Sequence, residues 1–363
     1  METKREIAFQ RLHQQQLSHP VIEKAEEVVG WLGAVQAQDY AAAKWAVAQR
    51  SSGLSDADLD LALASGAILR THIMRPTWHF VTPADIRWMQ TLTAARNKAT
   101  SAYYLRRLEL DEALRERSQE VLAGALQDGK QLTRTELGSV LTKAGIDVHI
   151  LLRLNYILML AELDGVITSG GRRGKQFTYA LLDERAPQTG SLDREEALAE
   201  LTRRYFSGHG PATIQDFVWW SGLTAADVRA GLEMAGSRLA VETVEGVKYW
   251  YDAAMPAAVR FLPSAHLLPV FDEYIVGYTD RRAAFSADDV HSSNPRDAIL
   301  FNHTLVIDGR VCGTWKRSFS KGRVLLSTKT FAALSEAEQD ALDVAVERYA
   351  EFHGMPVVLD QTE

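Results

Sequence analysis

The order of elements read along this chain repeats, and that repetition limits the fold more than any single residue does. From Asp111 to Arg185 the pattern predicts helices over Glu112–Ala125, Thr133–Lys143 and Val148–Leu163, then strands over Val166–Thr168 and Gln176–Ala180 around a turn from Ser169 to Lys175. From Leu192 to Asp252 the order returns. Helices run over Arg194–Phe206, Pro211–Trp220 and Thr224–Ala235, and strands over Leu239–Glu242 and Val247–Tyr251 flank Glu245-Gly246. Thr133-Arg134-Thr135-Glu136 and Thr224-Ala225-Ala226-Asp227 carry the side-chain pattern that satisfies the free N–H groups at a helix start. A looser third copy stands at the N-terminus, where Ser55 and Asp58 start a helix through Ala64 and a hairpin follows over Ile68–Ile73 and Thr77–Val81.

Three helices followed by a two-stranded hairpin is a winged helix-turn-helix, so the expected fold class is α+β with three such units in tandem. Their expected spans are 1–110, 111–190 and 191–252. After Ala253 the texture changes to short apolar runs: Val259–Leu262, Leu267–Phe271, His303–Ile307, Gly309–Lys316 and Arg323–Ser327. These predict a C-terminal β-rich domain over 253–363, a small antiparallel barrel or sheet, with Asp308-Gly309 as one tight turn and a last helix over Ser335–Phe352.

Composition removes several classes. With 363 residues, 46% of them hydrophobic, the chain can bury two or three cores. Its one cysteine, Cys312, rules out an intramolecular disulfide framework and a multi-cysteine zinc site. Neither a membrane-length apolar run nor an apolar segment after Met1–Glu6 is present, so a cytoplasmic protein is expected. The formal charge of -7 argues against a general polyanion binder, and any nucleic-acid surface must be a local basic face.

The chemistry concentrates at Trp31-Leu32-Gly33-Ala34-Val35-Gln36-Ala37-Gln38, where two glutamines close an apolar run. Glu26, Val29, Leu32 and Val35 fall on one helical face, and the chain is expected to leave the helix at the glutamines. In extended backbone, residues i and i+2 point the same way, so Gln36 and Gln38 can present two amides to one target. The plainer alternative is a pair of amides capping a helix end.

Together with Arg70-Thr71-His72-Ile73-Met74-Arg75-Pro76-Thr77-Trp78-His79-Phe80-Val81 and Phe271-Asp272-Glu273-Tyr274-Ile275-Val276-Gly277-Tyr278, the glutamines and repeats carry a resemblance over nearly the whole chain, from Phe9 to about Val358. The chain resembles the bacterial winged-helix DNA-binding family that contains the AlkZ and YcaQ (AlkX) DNA glycosylases. The resemblance implies a C-shaped clamp of three winged-helix units. It implies catalytic roles for Gln36 and Gln38, since AlkZ-type members carry Gln-x-Gln where YcaQ-type members carry Gln-x-Asp. It also sets the 69–81 hairpin beside the motif, which makes Arg70, Thr77 and His79 candidates for supporting the site and facing DNA.

Amides cannot serve as general bases near neutral pH, so such a site can only orient and polarise. That suffices for a purine alkylated at N7, whose cationic base departs neutral and needs no proton from the enzyme. The expectation is a metal-free, cofactor-free, monofunctional DNA glycosylase that hydrolyses the N-glycosidic bond of alkylated purines in double-stranded DNA, with bulky adducts and interstrand crosslinks as further substrates. It is expected to act as a monomer. Lys44 is six residues beyond Gln38 and on the next helix, so a Schiff-base step is not expected. The alternatives are a non-catalytic winged-helix regulator and a protein-interaction scaffold.

Arg172, Arg173 and Lys175 on the second hairpin's tip form a candidate DNA-binding wing, or a solvated turn. Arg96, Lys98, Arg106 and Arg107 form a second basic group, either tracking a phosphate backbone or making a solvated helix face, and Lys316, Arg317, Lys321 and Arg323 form a third on the turn from Gly313 to Arg323, either for DNA or as a charged sheet edge. His72 and His79 lack the carboxylates of a metal site. Asp272 and Tyr274 sit in an apolar run, where the acid is either bonded to backbone or part of a site. Gly208-His209-Gly210 is taken as a loop before a helix.

Overall fold

Side-chain capping sets most helix starts in the computed structural model, which describes residues 3–361 apart from 187, 189–191, 257–262 and 286–301. The reciprocal boxes expected at Ser55/Asp58, Thr133/Glu136, Thr224/Asp227 and Ser335/Glu338 all form. In chain order the elements are α1 (Lys4–Gln14), α2 (Ala25–Leu32), β1 (Val35–Gln36), α3 (Tyr40–Ala48), α4 (Asp56–Ser65), β2 (Leu69–Ile73), β3 (Thr77–Val81) and α5 (Ile86–Arg107). The middle holds α6 (Glu112–Leu126), β4 (Leu132–Thr133), α7 (Arg134–Lys143), α8 (Leu151–Leu163), β5 (Ile167–Arg173), β6 (Gln176–Leu181) and α9 (Leu182–Arg185). Then come α10 (Arg194–Gly208), α11 (Ile214–Ser221), α12 (Ala225–Ala235), β7 (Leu239–Val244), β8 (Val247–Asp252), β9 (Ala265–Leu268) and α13 (Glu273–Val276). The last are β10 (Thr304–Ile307), β11 (Arg310–Ser320), β12 (Arg323–Thr330), α14 (Glu336–His353) and β13 (Val357–Gln361).

The repetition extends to a detail the sequence did not reveal. In the first unit β1, between α2 and α3, pairs with the second hairpin strand, giving the sheet order β1-β3-β2. The second unit repeats this as β4-β6-β5, and in the third a single bridge joins Ala212 to Trp250 of β8 at the same place. Gln36 therefore lies on a recurrent third strand of the hairpin sheet. The C-terminal strands form one five-stranded sheet in the order β13-β12-β11-β10-β9, with β9 and β13 at its edges. It is antiparallel except for the β12–β13 pair, and β13 was not foreseen. Asp308 and Gly309, both at positive φ, make the expected turn. The expected strand at Val259–Leu262 falls outside the described residues.

Residues 105–181 hold a core of their own, around Leu122, Leu137, Leu158 and Ile167. The other two large cores cross the expected spans. Val28, Leu32, Trp45 and Leu63 pack with Leu267, Leu305, Trp315 and Tyr349, while Leu69 and Met89 pack with Tyr205, Phe217 and Trp220. A polar tie fixes the first of these joints, the Trp45 indole donating to the Leu267 carbonyl at 2.7 Å, and within the C-terminal part the Trp315 indole donates to the Leu268 carbonyl at 2.9 Å. No helix among the described residues is long and apolar enough to cross a membrane.

Asp272 resolves to the structural side of its two readings. Fully buried, it accepts two bonds from the Arg50 guanidinium, at 2.7 and 2.9 Å, and caps α13 through the Tyr274 N–H. Breaking a buried pair strands a charge, so Asp272→Ala is expected to cost about 3–5 kcal/mol, whereas Arg50→Met with Asp272→Leu recovers much of that loss. Urea unfolding of both variants checks this, and an Asp272→Ala protein within about 1 kcal/mol of wild type would contradict it.

Candidate active site

The glutamine motif is built by a helix that stops early. α2 ends at Leu32 because Gly33 takes φ +80°, with Trp220 packed 3.4 Å from where a Cβ would stand. Val35 accordingly belongs to strand β1 and not to the helical stripe expected for it. β1 pairs with β3 in the register Val35↔Phe80 and Gln36↔His79, and the Ala37 N–H donates to the Trp78 carbonyl. Asp39 then caps α3 by accepting from the Ala42 N–H. The motif is thus an extended stretch clamped between a sheet and a helix start, and the helix-cap alternative for the two amides does not describe it.

Gln36 is held at both ends. Its N–H donates to Glu273 Oε1 at 2.7 Å, and its side-chain oxygen accepts from the Arg75 guanidinium at 2.9 Å. Gln38 is exposed, with its amide oxygen 3.4 Å from the Trp78 N–H. The motif therefore offers one amide fixed by a half-buried cation and one open to solvent.

Glu273 was not singled out from the sequence, and it organises this site. It is fully buried and also accepts from the Trp220 indole at 2.9 Å and from His209 Nε2 at 3.3 Å. Burial alone would raise its pKa, but the His209 hydrogen bond and charge, with the Gln36 N–H, pull it down to about 2. His209 is thus no mere loop residue. It ends α10 wholly buried, stacked on Tyr205. Arg75, also missed, lies over Trp219 at 5.2 Å, and burial lowers its pKa against the attraction of Glu273. A signal did exist: two adjacent acids in an apolar run require buried partners.

Arg70, Thr77 and His79 gather here, but Arg70 and His79 are buried, so the expected DNA-facing position does not hold for these two. The Arg70 side chain donates to the Ala37 carbonyl at 2.9 Å, between the two glutamines, and lies over Trp78 at 4.4 Å and Phe177 at 4.5 Å. Burial lowers its pKa to about 10, which leaves it charged at neutral pH. His79 is fully buried, its Nδ1 donating to the Thr77 carbonyl at 3.0 Å. Burial, then the Arg75 charge, depress its pKa to about 3. Its Nε2 and the Thr77 hydroxyl are buried without a hydrogen-bond partner among the described residues.

The wing differs from its expected form. β5 runs on to Arg173, so the turn is only Gly174-Lys175. Ser169 is consumed as the acceptor for the Arg70 N–H at 2.8 Å, and a Cβ at Gly170 would lie 2.5 Å from the Thr178 hydroxyl. Arg172 lies over Tyr40 at 4.9 Å and 3.9 Å from Asp60, while Arg173 bonds Glu136 and the Gln131 carbonyl, both at 2.7 Å. Lys175 remains exposed at the tip. The stretch from Gly313 to Arg323 is likewise mostly strand, turning only at Lys321-Gly322. Arg96, Lys98, Arg106 and Arg107 lie on α5, with Lys98 paired to Asp164. Lys44 is tied to Asp56 and Asp60 at 2.8 and 3.1 Å, and His72 to Glu162.

Comparison with known proteins agrees with this architecture. The family described as DNA glycosylase AlkZ-like matches residues 29–352. The curated interstrand DNA cross-link repair glycosylase of Streptomyces sahachiroi is 28% identical over 324 residues, covering 86% of this chain and 87% of that protein. The solved structure of Streptomyces sahachiroi DNA glycosylase AlkZ is similar with a TM-score of 0.80 and 24% identity, over 99% of this chain and 100% of that one.

The neutral burial of His79 has a pH consequence. Its folded pKa, about 3, lies below the ordinary 6.5, so between those values the unfolded chain binds the extra proton. Its contribution to stability is full above about pH 6.5 and is lost as pH falls toward 3, by up to about 1.4 kcal/mol per pH unit. Guanidinium unfolding of wild type and His79→Gln between about pH 7 and 4 is expected to show a shallower acid loss in the variant. Parallel losses would contradict the buried neutral imidazole.

Proposed function

The chain belongs to the AlkZ-like DNA glycosylase family, and on that footing we propose that it hydrolyses the N-glycosidic bond of purines carrying a cationic N7 alkyl group, with Gln36 and Gln38 positioning the attacking water. The observation that carries this reading is the grip on Gln36: backbone held by Glu273, amide oxygen held by Arg75, with the open amide of Gln38 two residues on. Neither glutamine is suited to take the proton in the rate-determining step, because both amides are unprotonatable near neutral pH, and Glu273 behind them is saturated with donors. Leaving-group chemistry removes that need. Water oxygen bonds to C1′, the C1′–N9 electron pair passes into the cationic ring and neutralises it, and the water proton leaves to solvent. Amide dipoles aimed at the water and the oxocarbenium-like carbon supply the rest.

In this reading the three helix-plus-hairpin units act as winged helices that clasp a duplex, and Lys175, with the exposed arginines of α5, meets phosphates. The printed name of the Streptomyces relative, a cross-link repair glycosylase, supports extending the substrates to interstrand crosslinks and bulky N7 adducts.

Single-turnover release of N7-methylguanine from duplex DNA, read as alkali-labile abasic sites, tests the proposal. Gln36→Ala and Gln38→Ala are expected to slow release by about ten- to a thousand-fold while melting temperatures hold, and uracil release is expected to be orders of magnitude slower than that of the alkylated base. Full activity in both variants, or efficient uracil release, would refute it.

A further inference from the structure

The two amides of the motif differ in what they are free to offer. Arg75 carries only donors and meets the Gln36 side-chain oxygen at 2.9 Å, so that oxygen faces the guanidinium and the two N–H bonds of Nε2 are turned away from it. Gln36 Nε2 makes no hydrogen bond to a described residue and is not sealed from solvent. Gln38, by contrast, is exposed and held only by a 3.4 Å contact from the Trp78 N–H, so its amide can turn.

Arg75 is itself held in place by the third unit. It follows Met74, which is buried at φ +60° and donates its N–H to the Thr93 hydroxyl at 3.1 Å. Gly222, just after α11, lies against this turn so closely that a Cβ there would stand 2.8 Å from the Met74 carbonyl oxygen. Trp219 of α11 packs against the guanidinium at 5.2 Å. The orientation of the Gln36 amide is therefore set before any substrate arrives.

A fixed pair of N–H donors beside C1′ needs an acceptor there. Groups attached at N7 project into the major groove, so the open approach to the damaged nucleotide is the minor groove, where both purines present the acceptor N3. The other acceptor close to C1′ is the sugar oxygen O4′, which gains positive charge as the glycosidic bond breaks, and a donor on it would oppose the reaction. N3 behaves in the opposite way. It is conjugated with N9 and gains electron density as the base departs, so a donor on it stabilises the leaving group. We propose that Gln36 donates to N3 of the damaged purine from the minor groove, with Arg75 as the positioning residue that keeps the donor face outward. Oε1 retains its second lone pair for the water. The assignment rests on the glycosylase reading above and adds a purine-recognising contact to it. It requires no rotation of the base out of the duplex, which suits a purine tethered through N7 to the opposite strand.

Duplexes carrying N7-methylguanine or N7-methyl-3-deazaguanine, in which carbon replaces N3, separate this contact from the rest of the site. Single-turnover release from both is measured for wild type, Gln36→Ala, Arg75→Met and Arg75→Lys, alongside melting temperatures. Differences in leaving ability between the two bases are common to all four proteins, so comparing each variant's slowing on the two substrates isolates the N3 contact. Gln36→Ala and Arg75→Met are each expected to slow release of N7-methylguanine about 3- to 12-fold more than release of the deaza base, the scale of one neutral hydrogen bond. Arg75→Lys, which still only donates, is expected to recover most of that difference. Equal slowing on both substrates by a stably folded Gln36→Ala protein overturns the N3 contact and leaves the glycosylase reading standing. A difference seen in Gln36→Ala but absent from Arg75→Met overturns the positioning role of Arg75. A wild-type protein that releases neither base overturns that reading, and this inference with it.

Discussion

Two adjacent carboxylates at the start of α13 hold the molecule together by facing different partners. Asp272 grips Arg50 at the end of α3, and Glu273 accepts from Gln36, Trp220 and His209, so one short helix ties the first unit, the third unit and the C-terminal sheet to one point. Burying two acids side by side costs several kcal/mol each unless every lone pair is answered, and here the partners are drawn from two distant parts of the chain. These ties cross the same boundaries that the apolar cores cross. It also fixes the backbone of Gln36 through a contact spanning 237 residues.

The same constraint shapes the chemistry. The charges around Gln36 are compensated: half-buried Arg75 is set against the amide oxygen and the field of Glu273, buried Arg70 against the Ala37 carbonyl and two aromatic rings, and His79 is held neutral. Such a site is preorganised. It can orient water and stabilise developing charge, and it suits a substrate whose leaving group needs no proton.

Periodicity and capping made much of the fold legible. The boxes at Thr133 and Thr224 and the turn at Asp308-Gly309 follow from local side-chain and backbone preferences, and these formed as read. The misses share another cause. Val35 reads as helical because the stripe continues through it, but Gly33 reverses the backbone and β3 captures the next residues. Ser169 reads as turn because Gly170-Gly171 follows it, yet Arg70 claims its hydroxyl and the strand continues. Glu273, His209 and Arg75 acquire their roles through contacts between distant segments; the adjacent acids at 272 and 273 signal that buried partners exist but not which ones. The glutamines were legible because amides at the end of an apolar run demand an explanation; what grips them was not.

The central claim is that water is positioned here and not deprotonated by a side chain. The pH dependence of single-turnover N7-methylguanine release, between about pH 5 and 7, tests that most directly. The account predicts a flat profile, since Gln36 and Gln38 do not titrate and Glu273 and His79 titrate well below this range, at about 2 and 3. A rate that climbs about tenfold per pH unit to a plateau would reveal a general base in the rate-limiting step and contradict it.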